Sequence, residues 1–284
     1  MTTDSASTRE LSLIEFHTQP FAEINGARRW LARTQNVFIE WVEAAQDGAL
    51  IEFEDVHESV LLVFGASAEI SSGACRAQAS PRSVCIIPPG SSSVRLAGGG
   101  ACVILSGQRI DLAGRRALNE SHFLEHDARI HPCTPAYRRR DEHDKISVIP
   151  IDSFDPPADN PRLKMLQSST ISINWVEYDG PRDRRALSPH SHAGLEQASL
   201  GVTGHFVHHL REPWGRNADQ WRDDRHLEVA PPSLMVVPIN LIHTSEGVRN
   251  ESHLLIDIFS PPRRDFIAKG WVNNAFDYDA PDQP

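Results

Sequence analysis

The sequence lacks the features that would place it in a membrane, outside the cell or on nucleic acid. No apolar stretch approaches the roughly 18 residues that a membrane-spanning helix needs, and the polar segment from Met1 to Arg9 lacks the apolar core of a signal peptide. The four cysteines have no close spacing, which favours reduced cytosolic thiols over disulfides or a zinc knuckle. The formal net charge of −10 argues against nucleic acid and anionic membranes as partners. We therefore expect a cytoplasmic protein.

Short apolar runs take the place of long helical periodicities. Val, Ile and Leu occur in brief runs between Gly, Pro, Ser and Asn, and the chain has 20 prolines. This texture is typical of an all-β sandwich or barrel. At 284 residues the chain can hold two modest domains. In the second half the alternation predicts strands near residues 166–178, 187–193, 196–202, 205–211, 226–230, 234–239, 242–248 and 253–259.

Four residues in the second half suit a metal ion. His190 and His192 are two positions apart, so on a strand they point to the same face. Glu196 follows after a glycine-containing turn, and His243 lies in a later strand-like stretch. Imidazole and carboxylate at this spacing suit iron, manganese, nickel or zinc. We predict that these four side chains bind one divalent ion; the alternative is that the histidines are ordinary core or surface residues.

These residues resemble the two motifs of the cupin superfamily. The first family motif reads Gly-x5-His-x-His-x3,4-Glu-x6-Gly, and the second reads Gly-x5-Pro-x-Gly-x2-His-x3-Asn. His190, His192 and Glu196 match the first motif. Pro238 and His243 match the second. The resemblance implies an all-β fold of two cupin-type barrels, each a jelly roll or double-stranded β-helix.

The departures from the family motifs affect turns and leave the four proposed ligands in place. The last glycine of the first motif sits one place late, at Gly204, with Gly201 as the other candidate. In the second motif Asn240 replaces the middle glycine, and Gly247 stands where the asparagine would be. Asparagine tolerates positive φ better than most residues, so Asn240 is expected to keep the turn.

The first half resembles a copy of the second that has lost its ligands. If Glu58 is aligned with Glu196, then Glu52 and Glu54 replace the first two histidines and Ser93 replaces the third. Three carboxylates could hold a hard cation. We expect them instead to be solvated residues on the outer face of a metal-free barrel that serves packing or dimerisation.

The expected organisation has five segments. Proline density and mixed charge mark a linker between the two barrels, and residues 21–31 near the start are compatible with a short helix. The predicted segments are an N-terminal extension at 1–35, a metal-free barrel at 36–130, the linker at 131–163 with its charge run 138–142, a metal-binding barrel at 164–260, and an acidic, proline-rich tail at 261–284 that packs on a barrel or a partner.

Two further residues are candidates for substrate chemistry. The adjacent His208 and His209 must face opposite sides of a strand, so one of them can line the pocket as an acid–base group, and we favour His208. Arg211 is the candidate partner of a substrate carboxylate, because a planar guanidinium forms bidentate contacts. Ala198 and Leu200 are expected to face inward as a partly apolar wall.

Two aromatic residues follow at the expected barrel mouth. The loop that contains Trp214 and Trp221 is either a lid over the pocket or a set of aromatics stacked on prolines beside a domain interface.

The ligand set leaves several reactions open. Three neutral imidazoles and one carboxylate leave a divalent ion with a net charge near +1 and two open positions, which suit a bidentate substrate or a substrate plus O2. The primary hypothesis is an iron-dependent oxygenase of the mononuclear dioxygenase type, acting on a small oxygen-rich organic acid or aromatic. The alternatives are a metal-dependent isomerase or lyase of a hydroxy-carbonyl or sugar-acid substrate, and a non-enzymatic binding protein. A homodimer or higher homo-oligomer is expected.

Overall fold

Nearly all regular structure in the chain is β-strand. A computed structural model describes residues 10–112, 114–140 and 145–281. The all-β fold predicted from the sequence is confirmed. The strands are β1 Ser12–Glu15, β2 Ala22–Ile24, β3 Ala27–Arg33, β4 Phe38–Ala44, β5 Leu50–Asp55, β6 Ser59–Val63, β7 Ser67–Ser72, β8 Cys75–Ala79, β9 Ser83–Ile87, β10 Gly90–Ala97, β11 Ala101–Ser106, β12 Arg138–Arg139, β13 Ser147–Pro150, β14 Met165–Gln167, β15 Ser172–Asp179, β16 Gln197–Thr203, β17 Phe206–Arg211, β18 Arg225–Val229, β19 Ser233–Val237, β20 Ile242–Gly247, β21 Ser252–Phe259 and β22 Tyr278–Asp279.

The helices of the described residues are short. None of them has the length and apolar character needed to cross a bilayer. They are the α-helix α1 Arg264–Ala268 and the 3-10 turns Phe16–Thr18, Glu120–Phe123, Ile151–Ser153, Arg184–Ala186, Ala218–Gln220 and Ala275–Asp277.

Each half of the chain builds one barrel from two sheets of antiparallel strands. The N-terminal barrel has a large sheet in the order β13-β9-β6-β11-β4-β3-β2 and a small sheet in the order β5-β10-β7-β8. The C-terminal barrel has a large sheet in the order β1-β19-β16-β21-β15-β14 and a small sheet in the order β18-β17-β20. The same strand order therefore recurs in both halves, as a duplicated barrel requires.

The two barrels exchange their first strands. β1, near the start of the chain, pairs with β19 of the C-terminal barrel. β13, which lies within the proline-rich segment predicted as the linker, pairs with β9 of the N-terminal barrel. Each large sheet therefore ends in a strand that the other half contributes, and the segments expected to be extension and linker both carry sheet strands.

Residues 21–31 form a hairpin where the sequence was compatible with a short helix. β2 and β3 pair in antiparallel register on either side of Asn25 and Gly26. These two residues have φ of 51° and 78°. A two-residue Asn-Gly loop with both φ values positive is the turn that matches the twist of paired strands, so the turn chemistry outweighs the apolar spacing that suggested a helix.

One apolar layer joins the two barrels. It combines side chains of both large sheets, and the ring of Phe64 lies 5.8 Å from Trp41 and 5.7 Å from Trp175. Ala198 and Leu200 of β16 belong to this layer. The expectation that they line the pocket is therefore wrong. Alternate strand residues face opposite sides, so the residues of β16 that face the interior of the C-terminal barrel are those at the odd positions.

Glu58 and Glu196 each accept a hydrogen bond from a turn between two strands of the opposite barrel. Glu196 accepts a hydrogen bond at 2.8 Å from the backbone N–H of Gln35, in the turn between β3 and β4. Glu58 accepts one at 2.8 Å from the backbone N–H of Ser169, in the turn between β14 and β15. Both glutamates are buried and directly precede a central strand. The structure thus supports the alignment of Glu58 with Glu196 and gives both residues a role in joining the barrels.

The interior of the N-terminal barrel is packed with apolar side chains. Ile51 and Phe53 of β5 contribute to this core together with residues of β6, β7, β9 and β10. Glu52 and Glu54 alternate with them and lie on the outer face, as expected, with Glu52 exposed.

The predicted equivalents of the three histidines are displaced by one residue. In the N-terminal barrel Glu52 and Ser93 do form a cross-strand pair, as His190 and His243 do in the C-terminal barrel. The pairs of β5 and β10 that are buried, however, are Phe53 with Ser92 and Ile51 with Val94. Ser93 therefore faces away from the interior, because a shift of one residue moves every side chain of a strand to the other face.

The tail packs on the C-terminal barrel and reaches the N-terminal one. Phe266 and Trp271 contact a small core that includes Phe259. Further along, the hydroxyl of Tyr278 donates a hydrogen bond of 2.9 Å to Glu58. Arg139, in the predicted charge run, also reaches Glu58. The acidic members of that run, residues 141 and 142, lie outside the described residues.

Replacing Glu58 by Ala should lower the free energy of unfolding by about 3 kcal/mol, because Arg139 and Tyr278 lose a buried partner. Urea unfolding of the metal-free protein measures this. The exposed Glu52→Ala is the control, with an expected change below about 0.5 kcal/mol. Equal effects of the two substitutions would contradict the role of Glu58 in joining the barrels.

Candidate metal centre

Three histidines converge at the mouth of the C-terminal barrel. His190, His192 and His243 each offer a ring nitrogen within 4.8 Å of the other two, and their ring centroids lie 4.5 to 5.4 Å apart. Residues 187–193, predicted as a strand, make only the single β-bridge between His190 and His243. Burial increases from the exposed His190 to His243, which is 2% exposed. The cluster is therefore reached from solvent on the side of His190.

Backbone carbonyls orient two of the three rings. His190 Nδ1 lies 2.8 Å from the carbonyl oxygen of Ser188, and His243 Nδ1 lies 2.9 Å from that of Leu241. A carbonyl oxygen can only accept, so each Nδ1 carries the proton and each Nε2 presents a lone pair. Histidines that bind metals commonly have their tautomer fixed in this way.

The turn before His243 also positions His192. Asn240 adopts φ of +64°, the left-handed conformation predicted for it. Its backbone N–H donates a hydrogen bond of 2.7 Å to the carbonyl oxygen of His192. The turn of the second motif therefore anchors the segment that carries the first.

The fourth polar group at the cluster belongs to Gln197, and the structure does not bring Glu196 there. Gln197 Oε1 lies 2.9 Å from His192 Nε2 and 3.1 Å from His243 Nε2. Glu196 points the opposite way, to the other barrel, because consecutive residues face opposite sides as β16 begins. The family motif allows three or four residues between the second histidine and the glutamate. A spacing of four leads from His192 to Gln197, so the motif itself could have indicated Gln197.

Asp257 and Ser199 fix the orientation of the Gln197 amide. Gln197 Nε2 donates hydrogen bonds to Ser199 Oγ at 2.9 Å and to Asp257 Oδ1 at 2.8 Å. Ser199 Oγ donates to the same carboxylate oxygen at 3.0 Å. Burial raises the pKa of Asp257, against the lowering effect of its hydrogen bonds with Ser199 and Asn174. With its nitrogen held by these two acceptors, the amide turns its carbonyl oxygen toward the histidines.

The donor atoms face one another in a way that fits a cation. Burial is the main cause that lowers the pKa of His192 to about 3 and of His243 to about 4, so both rings are neutral at pH 7. The lone pair of His243 Nε2 then faces Gln197 Oε1 with no proton between them. Metal bonds of about 2.1 Å place neighbouring octahedral donors about 3 Å apart, which matches both separations from Gln197 Oε1. Three imidazole nitrogens and one amide oxygen therefore fit a divalent ion.

His208 lies inside the barrel, next to this cluster. Its ring is fully buried and stacks on Phe206. Its Nδ1 lies 2.8 Å from Ser245 Oγ, and its Nε2 has no hydrogen-bond partner in the part of the chain that the structure describes. Burial, and then the charge of His243, lowers the pKa of His208 to about 4. His208 is thus a neutral, water-excluded group.

His209 faces the outside of the barrel. It contacts His226 and Glu246 at the edge of an outer cleft of about 510 Å³. The two adjacent histidines therefore face opposite sides, and the favoured one, His208, is the one that faces inward.

Arg211 and the two tryptophans lie at the surface. Arg211 makes two hydrogen bonds to Asp224, at 2.9 and 2.5 Å, and the structure does not bring it to the histidines. It is odd-numbered on β17, and the residues of that strand that face inward are even-numbered. Trp214 and Trp221 stack on each other with ring centroids 4.3 Å apart, and both are exposed.

Phe259 and Arg263 form the wall beside His192. The Phe259 ring lies 5.4 Å from the His192 ring. The guanidinium carbon of Arg263 lies 5.0 Å from the Phe259 ring centroid, and its Nη1 lies 3.5 Å from His192 Nδ1. Sequence reasoning missed both residues, because they sit at the end of the last strand and in the tail, where no motif marks them.

Solved structures of AerE and of oxalate decarboxylases are among those that resemble this chain. AerE from Microcystis aeruginosa has a TM-score of 0.57 and 10% identity, over 90% of this chain and 99% of that chain. Oxalate decarboxylase from Lactobacillus farciminis, as a formate complex, has a TM-score of 0.60 and 13% identity, over 88% and 86%. A variant of the oxalate decarboxylase from Bacillus subtilis has a TM-score of 0.58 and 11% identity, over 88% and 77%. No family model and no curated protein matches the sequence.

These likenesses extend over most of the chain and concern the fold. Together with the two barrels described above, they confirm the predicted cupin fold with two barrels in one chain. At such identities they leave the reaction to be argued from the site itself.

The stability of the metal-free protein should depend on pH through His208. Its pKa is about 4 when folded and about 6.5 when unfolded, so its contribution to stability is present above about pH 6.5 and is lost as the pH falls toward 4. His208→Phe should shrink the difference in unfolding free energy between pH 7 and pH 4.5 by about 2 kcal/mol. Urea titrations at both pH values measure this, with the exposed His126→Phe as control. An unchanged difference would show that His208 is not buried as a neutral ring.

Proposed function

We propose that the C-terminal barrel is the active site of a metal-dependent enzyme that converts a small, oxygen-rich organic acid. The observation that carries this proposal is the convergence of three imidazoles and the Gln197 carbonyl oxygen at a barrel mouth that is open to solvent beside His190. A purely structural cluster would not need to leave lone pairs facing one another.

The donor set favours an anionic substrate. With Gln197 in the place expected for a glutamate, all four donors are neutral, so a divalent ion keeps its full charge instead of about +1. Such an ion attracts anionic oxygen ligands more strongly. Two carboxylate oxygens, or a carboxylate and a hydroxyl, suit this demand.

Iron is the metal that we propose, with manganese as the main alternative. Imidazole and oxygen donors suit both ions. One structural neighbour, the oxalate decarboxylase of Bacillus subtilis, has Mn(II) centres, which supports manganese. Nickel and zinc accept the same donor types.

Different residues of the barrel would admit the substrate, exclude water and transfer a proton beside the ion. A bound ion would supply Lewis acidity to two substrate oxygens. The exposed side of His190 admits the substrate, and Phe259 forms an apolar wall that excludes water beside His192. His208 Nε2 is the group that holds or accepts a proton inside the barrel, because it is buried, neutral and unpaired among the described residues.

Two reaction classes follow from this arrangement. An oxygenase is our primary proposal, because four protein donors leave two open positions on an octahedral ion, and these can take one substrate oxygen and O2 in place of a chelating substrate. A decarboxylase or other lyase is the second candidate. It is favoured by the names of the oxalate decarboxylase neighbours and by a proton-transferring group such as His208.

Metal affinity should follow Gln197 and not Glu196. We expect Gln197→Ala to weaken Mn²⁺ binding by about 10- to 100-fold, and His243→Ala to abolish it. Glu196→Gln should change the affinity by less than about threefold, although it lowers stability. Equilibrium dialysis with elemental analysis measures all three. A loss of metal in Glu196→Gln with full binding in Gln197→Ala would reverse the assignment.

Whether turnover requires O2 should distinguish the two reaction classes. If the iron-loaded protein is an oxygenase, loss of substrate from a panel of small hydroxy-, oxo- and dicarboxylic acids is matched by O2 uptake. It stops under nitrogen and after exchange of iron for zinc. An unchanged rate under nitrogen with release of CO2 would contradict the oxygenase proposal and favour the lyase. Tight binding without turnover of any acid would favour a non-enzymatic binding protein.

A further inference from the structure

An arginine–aspartate pair occurs at the same place in both barrels. In the C-terminal barrel, Arg263 donates through Nε and Nη2 to Asp265, at 2.8 and 2.6 Å. In the N-terminal barrel, Arg109 donates through the same two nitrogens to Asp111, both at 2.5 Å. Each arginine follows the last strand of its barrel, β21 or β11. In both pairs the aspartate occupies one edge of the guanidinium and leaves Nη1 free to reach the barrel.

In the N-terminal barrel this nitrogen meets a carboxylate of the protein. Arg109 Nη1 donates to Glu40 Oε2 at 3.1 Å, and neither side chain is exposed. Arg29 and Arg115 bind the same carboxylate. Burial alone would raise the pKa of Glu40, but the three guanidiniums hold it below its usual value. In the N-terminal barrel the position next to Arg109 Nη1 is thus occupied by a carboxylate of the same barrel, that of Glu40.

The C-terminal barrel brings no such carboxylate. Glu40 of β4 pairs with Ile104 of β11, and the corresponding pair of β15 and β21 is Asn174 with Asp257. Asn174 is uncharged, and Asp257 is held by the Gln197 amide and a serine. A glutamate that could reach the arginine is therefore replaced by a neutral amide.

Arg263 has no ion pair on its inner side in the part of the chain that the structure describes, although the buried Asp257 acts on it electrostatically from farther away. Within the described ranges its one ion pair is with Asp265. Its side chain is 10% exposed, and Nη1 faces His192 Nδ1 at 3.5 Å, which is too long for a strong hydrogen bond. A nearly desolvated guanidinium nitrogen that contacts no anion is costly, and Asp257 does not reach it with a hydrogen bond.

The same guanidinium opposes a cation at the histidines. Arg263 Nη1 lies 3.5 Å from His192 Nδ1, so the positive charge of Arg263 repels any cation that His192 binds. An anion between Arg263 and the ion would turn both repulsions into attractions. The arrangement is therefore suited to an ion and an anionic ligand together.

We infer that Arg263 binds a carboxylate of the substrate beside the metal centre, in the position that Glu40 occupies for Arg109. The substrate class is then a small dicarboxylate, or an acid with one carboxylate beyond the oxygens that chelate the ion. Asp265 is a positioning residue that holds the guanidinium. This inference rests on the proposed function, because it specifies the ligand of the same centre.

The test compares metal and anion affinities in the full-length protein. Isothermal titration gives the affinity for Mn²⁺ without other anions, and then the affinity of the Mn²⁺-loaded protein for oxalate. In Arg263→Gln the oxalate affinity should fall by tenfold or more, while the Mn²⁺ affinity without oxalate should stay equal or rise. Arg263→Lys keeps the charge without the bidentate geometry and should fall in between. These opposite directions separate anion binding from a general loss of structure, which would lower both affinities.

The control is Arg185→Gln, which removes an arginine that also pairs with an aspartate two residues away but is 90% exposed. It should leave both affinities unchanged. Oxalate affinity within twofold of wild type in Arg263→Gln overturns the inference, and so does a parallel loss of Mn²⁺ and oxalate binding in that variant. Mn²⁺ binding by wild type without oxalate binding also overturns the inference and leaves the metal centre standing. Failure of wild type to bind Mn²⁺ overturns the proposed function itself, and the inference with it.

Discussion

The apolar layer between the two barrels decides which side chains face each barrel interior. One face of each large sheet packs in this layer. Because side chains alternate along a strand, the residues between them face the barrel interior. On β16 the layer takes Ala198 and Leu200. Gln197 and Ser199 are therefore turned inward, and Glu196, one residue earlier, is sent to the opposite barrel. The identity of the fourth polar group at the candidate metal centre thus depends on the packing between the barrels.

The two barrels differ in what lies opposite their buried arginine. Both keep an arginine that is clamped by an aspartate at the end of the last strand. The N-terminal barrel neutralises its arginine with Glu40 and fills its interior with apolar side chains. The C-terminal barrel keeps a polar interior with three histidines, a glutamine and a buried aspartate. In the first barrel the arginine is therefore paired with a glutamate of the protein. In the second barrel the histidines, Gln197 and the arginine can contact a ligand.

The sequence predicted the fold and three of the four residues at the centre, and the remainder depended on tertiary packing. Strand alternation, turn residues and the cupin motifs were enough for two all-β barrels, for the histidines and for the positive φ of Asn240. The choice between Glu196 and Gln197 turned on which face of β16 the apolar layer covers, and periodicity alone does not say this. Arg263 could not be found, because only the folded tail places it beside His192. Arg211 was predicted to bind a substrate carboxylate because of its guanidinium group. Its position on β17 instead points it outward, where it binds Asp224.

The most direct test of this account is anomalous diffraction from crystals of the protein grown with Mn²⁺. The account predicts one strong anomalous peak per chain, within bonding distance of the Nε2 atoms of the three histidines and of Gln197 Oε1, with Glu196 still bound to the Gln35 N–H. A peak bound by Glu196, a peak in the N-terminal barrel alone, or no peak at a saturating Mn²⁺ concentration would contradict it.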